Sequence, residues 1–441
     1  MSGAATVAAG QERSPEGIRR TVWGAFWSLL IDMYDIYLPV VALAPAIVYF
    51  EPKNLPASTT ATLFYLVFAA TLVGRPLGAF IFGHLGDRWG RKVTTMIAIS
   101  GFGIATLLIA LLPGYQQWGL AAMYVLTLLR FIDGIFLGGQ YTAAIPLAME
   151  YAPKAKRGLY GGAIQSAFPL AYVLISLFTS LVFVFSPPGT ASAPYVQWGW
   201  RIPFLVGALG SAIVVWFYSR SVPESELWRQ SPKTRSPLRE LFSGESFRNL
   251  AQVFILQSGA WFLVNSVIST LPAVLITVLK LPSVTVTHEL LIAYVVLAAG
   301  FVTAGAVSQI VGRRRLYAIM GLLSAVVAPV LYYLIVATPK VGFGAQTVLA
   351  SVLLLITIGM WGMVVSYISE RFRTSVRSAG YGIGYSLAVI IPSFYSFYML
   401  GLAHFMPYAY TQIVLVVIGG ILVLVGALMG PETKDIDFVA D

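Results

Sequence analysis

Cysteine is absent from the 441 residues, which excludes disulfides, thiol nucleophiles and thiolate-bound metals. Histidine is nearly so. His84, His288 and His404 lie too far apart in sequence to suggest a histidine-rich metal site. Charge is also scarce: Asp, Glu, Lys and Arg make up 10% of the chain, against about 25% in soluble domains. Apolar residues reach 58%, and mean hydropathy is +0.81. This composition excludes a soluble fold. No H-E-x-x-H, G-x-S-x-G or P-loop occurs, so neither an enzyme nor an ATP-driven machine has a motif to rest on. The formal charge of +10 would suggest nucleic-acid binding in a soluble chain. Here the placement of the cations points elsewhere.

Apolar runs long enough to cross a bilayer fall near 22–50, 58–84, 93–113, 117–149, 158–186, 199–219, 249–278, 288–311, 316–337, 345–369, 379–405 and 409–429. Twelve spans put both termini on one side. Of the 28 Lys and Arg residues, twenty-two fall on that side. They include Arg88, Arg91 and Lys92, then Lys154, Lys156 and Arg157, then Arg313–Arg315, and Arg371, Arg373 and Arg377. The other side has only Lys53, Arg201, Lys280 and Lys340. The bias predicts cytoplasmic termini. The basic charge then reports topology and contact with anionic lipid, with no role in nucleic-acid binding.

The longest cytoplasmic connection follows span 6. It predicts an N-tail (1–21), a six-helix bundle (22–219), a linker (220–248) with a short amphipathic helix starting near Ser236-Pro237, a second six-helix bundle (249–429) and a C-tail (430–441). The halves repeat weakly. Gly83-His84-Leu85-Gly86-Asp87-Arg88-Trp89-Gly90-Arg91-Lys92 after span 2 has a degenerate copy at Gly305–Arg314 after span 8. Glu150 precedes Arg157 by the spacing that separates Glu370 from Arg377. Duplicated six-span halves are the pattern of a transporter that rocks one half against the other.

Segment 83–92 resembles the GxxxDRxGRK motif of the major facilitator superfamily. Arg130-Phe131-Ile132-Asp133-Gly134 resembles its fourth-span RxxxG pattern. Pro223-Glu224-Ser225 and Pro431-Glu432-Thr433-Lys434 also fit. Gly74-Arg75-Pro76-Leu77-Gly78, Arg157-Gly158-Leu159-Tyr160-Gly161 and Trp198–Phe204 are similar to the metabolite:proton symporters, the group of the alpha-ketoglutarate permease and the proline/betaine transporter. The resemblance implies an all-α integral membrane protein with the major facilitator fold: twelve transmembrane helices in two pseudo-symmetric bundles. It implies alternating access, with a proton as coupling ion and no cofactor. The group's Glu-Trp-Tyr-Asp is Asp32-Met33-Tyr34-Asp35 here. Its Gly-Gly-Glu is Gly138-Gly139-Gln140, and its RxxQG glutamine is Asp133. These departures alter the charge at the site, so no member's substrate carries over.

Ionisable residues inside a span are costly and mark function by default. Five lie away from span ends, all in the first half: Asp32, Asp35, Arg75, Arg130 and Asp133. Three carboxylates face two guanidiniums, so one is underpaired. An underpaired carboxylate away from water can hold a proton, and arginine offers a fixed fork for a substrate carboxylate. We therefore expect Asp32, Asp35 and Asp133 to couple protons, with Asp35 the leading candidate, and Arg75 and Arg130 to bind substrate. Static roles stay open: a permanent Arg130–Asp133 pair, Arg75 as a fixed partner of Asp35, and Asp32 bonded only to its neighbours.

Tyr34, Tyr37, Gln140, Gln165, Gln257, Trp261, Asn265, Trp361 and Tyr385 are the further expected substrate contacts, with packing as the plain alternative for the aromatics. Gating is expected from Gly83, Asp87, Arg88, Gly90, Arg91, Glu150, Arg157, Glu370 and Arg377. In that scheme Asp87 sits at a neighbouring helix N-terminus and Arg88 and Arg91 bind loop acceptors. The second copy lacks the acid, so gating bonds should be unequal between halves. The leading expectation is proton-coupled symport of a small mono- or dicarboxylate. A sugar or polyol symporter and a zwitterionic-osmolyte symporter are the alternatives. A monomer in the cell membrane of a microbe, surrounded by lipid, completes the expectation.

Overall fold

A computed structural model of the chain describes residues 15–52, 57–231, 237–275, 281–338 and 342–438. Most of the expected N-tail, the end of the C-tail, Ser236, and the cations Arg13, Lys53, Lys233, Arg235, Lys280 and Lys340 fall outside them.

Among the described residues there is no strand, and twelve helices are long and apolar enough to cross a membrane. They are α1 (Pro15–Phe50), α2 (Ala57–Trp89), α3 (Arg91–Ala110), α4 (Leu120–Tyr151), α5 (Lys154–Phe185), α6 (Tyr195–Ser221), α7 (Gly244–Ser269), α8 (Ser283–Val311), α9 (Arg313–Ala337), α10 (Phe343–Glu370), α11 (Thr374–Leu402) and α12 (Tyr408–Met429). Without water, each backbone N–H must find its acceptor inside its own segment, which only the helix provides. Exposed side chains such as Ile104, Leu209 and Val326, about 60% exposed each, are apolar, as a lipid-facing surface requires (58%, 62% and 60%).

The helices are not uniform. Pro39 and Pro45 cannot donate to the preceding turn. Beyond Tyr37, α1 is accordingly wound first wide (Leu38–Leu43) and then tight (Ala44–Phe50). A wide turn covers Asn265–Ser269 in α7, and a tight one covers Gly359–Met363 in α10. Asn265 and Trp361, both expected substrate contacts, lie in these turns, and irregular turns of this kind are frequent at functional positions.

The chain divides into two compact units. One takes the residues up to Tyr151 together with Leu170–Arg235, and the other takes Ala152–Pro169 with Ser236–Asp441. In the first, α4 packs on α2 and α3, and Ala144 and Leu147 form a core with Tyr218 and Val222 of the α6 end. In the second, α12 packs on α7 and α9 through glycines. A Cβ on Gly420 would overlap the backbone of Ala325, and one on Gly259 would crowd the Gly419 carbonyl. The linker helix expected near Ser236 begins at Pro237 and runs to Leu241.

The segment read as a loop after span 2 is mostly helix. Gly83–Trp89 forms the last turns of α2, Gly90 is the entire joint, and Arg91 opens α3. Gly90 has φ +112°, which an L side chain avoids, so this one residue turns the chain without a loop. Gly312, at φ +105°, does the same between α8 and α9.

Candidate functional site

The charged cluster of the first unit rests on a backbone contact. Gly74 and Gly78 of α2 mesh with Gly134 and Gly138 of α4. A Cβ on Gly78 would overlap the Ile135 carbonyl, one on Gly134 the Thr71 carbonyl, and one on Gly138 the Arg75 carbonyl. This approach brings Thr71 to Arg130. Arg130 Nη1 lies 3.3 Å from Asp35 Oδ2 and 3.1 Å from Asp133 Oδ2. Its Nη2 donates to the Asp35 backbone carbonyl at 3.2 Å, and its Nε donates to Thr71 Oγ1 at 3.3 Å. From α3, Thr106 donates its hydroxyl to Asp35 Oδ1 at 2.6 Å. Arg75 Nη2 stands 3.6 Å from Asp32 Oδ2, with its guanidinium 4.9 Å from the centre of the Tyr141 ring.

All five charged residues are buried. Their hydrogen bonding is unequal. Asp35 accepts from both Arg130 and Thr106, whereas neither carboxyl oxygen of Asp32 or Asp133 accepts a hydrogen bond from a described residue. The arginine partners are therefore Asp32 for Arg75 and Asp35 with Asp133 for Arg130. Asp35 sits one helical turn along α1 from Asp32 and is held on Arg130. Three carboxyl groups share two guanidiniums, and the surplus group belongs to the two weakly bonded aspartates.

Other expected contacts in this unit have mixed fates. Gln140 Nε2 donates to Ser28 Oγ at 2.7 Å, leaving its carbonyl oxygen without a described donor. Tyr34 spends its hydroxyl on the Pro203 carbonyl at 3.2 Å, joining α1 to α6. Tyr37 packs edge-on against Tyr172, with ring centres 5.1 Å apart.

In the second unit, Trp261, Trp361 and Tyr385 form a corner of three rings, each edge-on to the others. Their centre distances are 4.7 Å, 5.5 Å and 5.7 Å. Trp261 donates to the Tyr385 carbonyl at 3.1 Å, and Asn265 donates to the Pro392 carbonyl at 2.9 Å. The Trp361 indole N–H and both amide atoms of Gln257 are buried without a described partner. A buried amide without partners is costly, so Gln257 and Trp361 are the groups left to meet a ligand or water here. Gln165 is buried at the end of the Arg157–Gln165 helix.

The expected gating residues form two networks of one design, both on the Arg/Lys-rich face. In the first unit, Arg91 Nη1 donates to Asp87 Oδ1 at 2.8 Å, and its Nη2 reaches Glu150 Oε1 at 3.5 Å. Ser225 bonds the other Glu150 oxygen. The start of α3 is capped by Glu224, which accepts the backbone N–H of Arg91 (3.0 Å), Lys92 (3.1 Å) and Ser225 (2.9 Å). In the second unit, Arg313 donates to Glu370 at 3.0 Å and to Gln309 at 3.0 Å. Thr433 bonds the other Glu370 oxygen at 2.7 Å. Glu432 caps α9 by accepting from the N–H groups of Arg313 (2.9 Å), Arg314 (3.2 Å), Thr433 (2.9 Å) and Lys434 (3.1 Å).

Three expectations change here. Asp87 does not cap the neighbouring helix. It lies one turn from Arg91 and binds that side chain, while Glu224 takes the backbone N–H groups. Arg88 is exposed and makes no ion pair with a described residue. Arg157 binds Glu370 at 3.3 Å, so the repeated Glu150…Arg157 spacing does not mark a pair. Arg377 donates to the Ser369 and Phe372 carbonyls, both at 3.2 Å. The sequence reading missed Thr71, Thr106 and Tyr141, for which span position alone gave no signal. It also noted Pro223-Glu224-Ser225 and Pro431-Glu432-Thr433 without seeing the caps, although Pro-Glu ahead of a polar residue on both sides of the repeat was the available clue.

Comparison with known proteins agrees with this architecture. Residues 25–395 match the family model of the Major Facilitator Superfamily. The inner membrane metabolite transport protein YhjE of Escherichia coli (strain K12) is 32% identical over 86% of this chain and 87% of its own length. The alpha-ketoglutarate permease of the same organism is 27% identical over 87% of each. A solved structure of the proton:xylose symporter XylE shares the fold, with a TM-score of 0.76 at 19% identity over 93% of this chain and 94% of that one. The chain therefore belongs to the Major Facilitator Superfamily and is a multi-pass transporter, not an enzyme, in the group that holds the metabolite:proton symporters.

Proposed function

We propose that the protein is a proton-coupled symporter of a small organic acid, working by alternating access in the cell membrane with its Arg/Lys-rich face and both termini cytoplasmic. One observation carries this reading: two fixed guanidiniums, Arg75 and Arg130, are buried among three aspartates, two of which accept no hydrogen bond from a described residue. Arginine keeps its proton under all physiological conditions, so a buried pair selects for anions. Arg75 is the substrate arginine. Its guanidinium stands 3.6 Å from Asp32, whereas Arg130 is held at 3.1–3.3 Å by Asp133, Asp35 and Thr71. A substrate carboxylate takes the fork of Arg75 and releases Asp32. A proton then neutralises the surplus negative charge of the cluster, and the unit can repack. The name of the alpha-ketoglutarate permease fits this class.

The test is substrate-driven proton uptake into proteoliposomes carrying an internal pH dye. The panel spans mono- and dicarboxylates, betaine, proline, hexoses and pentoses. Acidification by a carboxylate that is lost in Arg75→Ala and in Asp32→Asn is the expected result. A sugar or polyol reading draws on Gln257 and Trp361, whose side-chain hydrogen-bonding groups have no described partner. Acidification by a sugar that survives Arg75→Ala would replace the acid reading with that one.

A further inference from the structure

The chain does not leave the basic face of the second unit after α12. Beyond the Glu432 cap and the Thr433–Glu370 bond, Lys434 Nζ donates to the Ile310 carbonyl at 3.2 Å. Arg157 Nη1 donates to the Ile436 carbonyl at 2.9 Å, and Lys154 Nζ meets Asp437 Oδ2 at 2.9 Å. The Phe438 ring then lies between two guanidiniums, 3.8 Å from that of Arg157 and 4.0 Å from that of Arg377. The tail thus places on this face a ring that is only 6% exposed.

The ring suits the charge of its seat. Arg157 and Arg377 are both buried, and the Glu370 carboxylate that Arg157 uses already serves Arg313. A ring face between two cations offers each an electrostatic partner that costs no extra carboxylate. The seat also has room for release. A cavity of about 500 Å³ borders Arg377, Ile436, Asp437 and Phe438, so the ring can leave without unpacking a helix. What the seat holds is unusual. Arg157 and Lys154 stand on Ala152–Pro169, which belongs to the second unit, while the chain on either side of it, up to Tyr151 and from Leu170, belongs to the first.

We propose that Lys434–Phe438 is an intramolecular ligand for a slot built by Lys154, Arg157 and Arg377, and that its seating clamps Ala152–Pro169 to the second unit until the tail is released. Nothing in this depends on which substrate is carried. Alternating access moves the halves against each other, so a segment counted with one half while its neighbours belong to the other is where a clamp would act on the cycle.

The absence of cysteine allows a clean test in the full-length protein in nanodiscs. A nitroxide on Asp435→Cys reports the tail, and hydrogen exchange over 152–169 reports the clamped segment. With Phe438 present, the label is immobilised. Phe438→Ala frees it and speeds exchange in 152–169 about tenfold, the effect of losing two cation–ring contacts. Exchange in α3 stays unchanged, and Phe438→Tyr behaves as the parent. An equally mobile label in parent and Phe438→Ala would show that the seat is not occupied. A freed label with unchanged exchange in 152–169 would show that the tail clamps nothing. Either result overturns the proposal.

Discussion

Removing Asp133 and removing Arg130 each delete one charge from the same ion pair, yet their costs should differ sharply. Arg130→Gln leaves three buried aspartates facing Arg75 alone. It also takes donors from Asp35 Oδ2, the Asp35 carbonyl and Thr71. Breaking a buried pair so that charge is left uncompensated costs about 3–5 kcal/mol. Asp133→Asn removes a carboxylate that accepts no hydrogen bond from a described residue and leaves two aspartates for two arginines. Its cost should stay within about 1 kcal/mol, because a balanced cluster replaces an unbalanced one. The assay is thermal unfolding in detergent, followed by tryptophan fluorescence. Arg130→Gln should unfold many degrees below the parent and Asp133→Asn close to it. Adding Asp35→Asn to Arg130→Gln should recover part of the loss. Acidifying the buffer should narrow the Arg130→Gln deficit, since added protons cancel surplus negative charge. If Asp133→Asn falls as far as Arg130→Gln, or the double variant is no better than Arg130→Gln, charge balance does not govern this cluster.

Gly90→Ala should destabilise by about 1–3 kcal/mol, because φ +112° is closed to an L residue. Gly344→Ala, in a helix with open space around it, should be neutral or slightly stabilising in the same melt. Glu432→Gln and Glu224→Gln should each cost about 0.5–2 kcal/mol as helix caps. Hydrogen exchange should rise in the first turn of α9 for Glu432→Gln and of α3 for Glu224→Gln, each leaving the other helix untouched. Exchange spread evenly over both would argue against local capping.

The fold was legible because the bilayer leaves so little choice. Twelve apolar runs, a one-sided distribution of cations and a repeated motif suffice once backbone groups must bond within their own helix. The membership of the site was legible too, since five charges in apolar helices stand out against their surroundings. Their pairing was not. Whether Asp32 or Asp35 reaches Arg130 depends on the rotation of α1 against α4, which no spacing along one helix records. Thr106 and Thr71 escaped for the same reason: a threonine in a span has no signature until its neighbour is known. The 83–92 segment was misread as a loop because its polar residues look like a turn, although only Gly90 has a turn's backbone.

The single-residue joints at Gly90 and Gly312 have a consequence for how the chain is made. With no slack between α2 and α3, or between α8 and α9, neither partner can choose its tilt independently once the other is set. Each pair must enter the membrane as one hairpin, with the arginines just past the glycine held back at its tip. A longer tether at either glycine would let the second helix of the pair seek its place alone. The fault would then appear during synthesis as a mis-threaded chain, even where the mature fold could absorb the insertion.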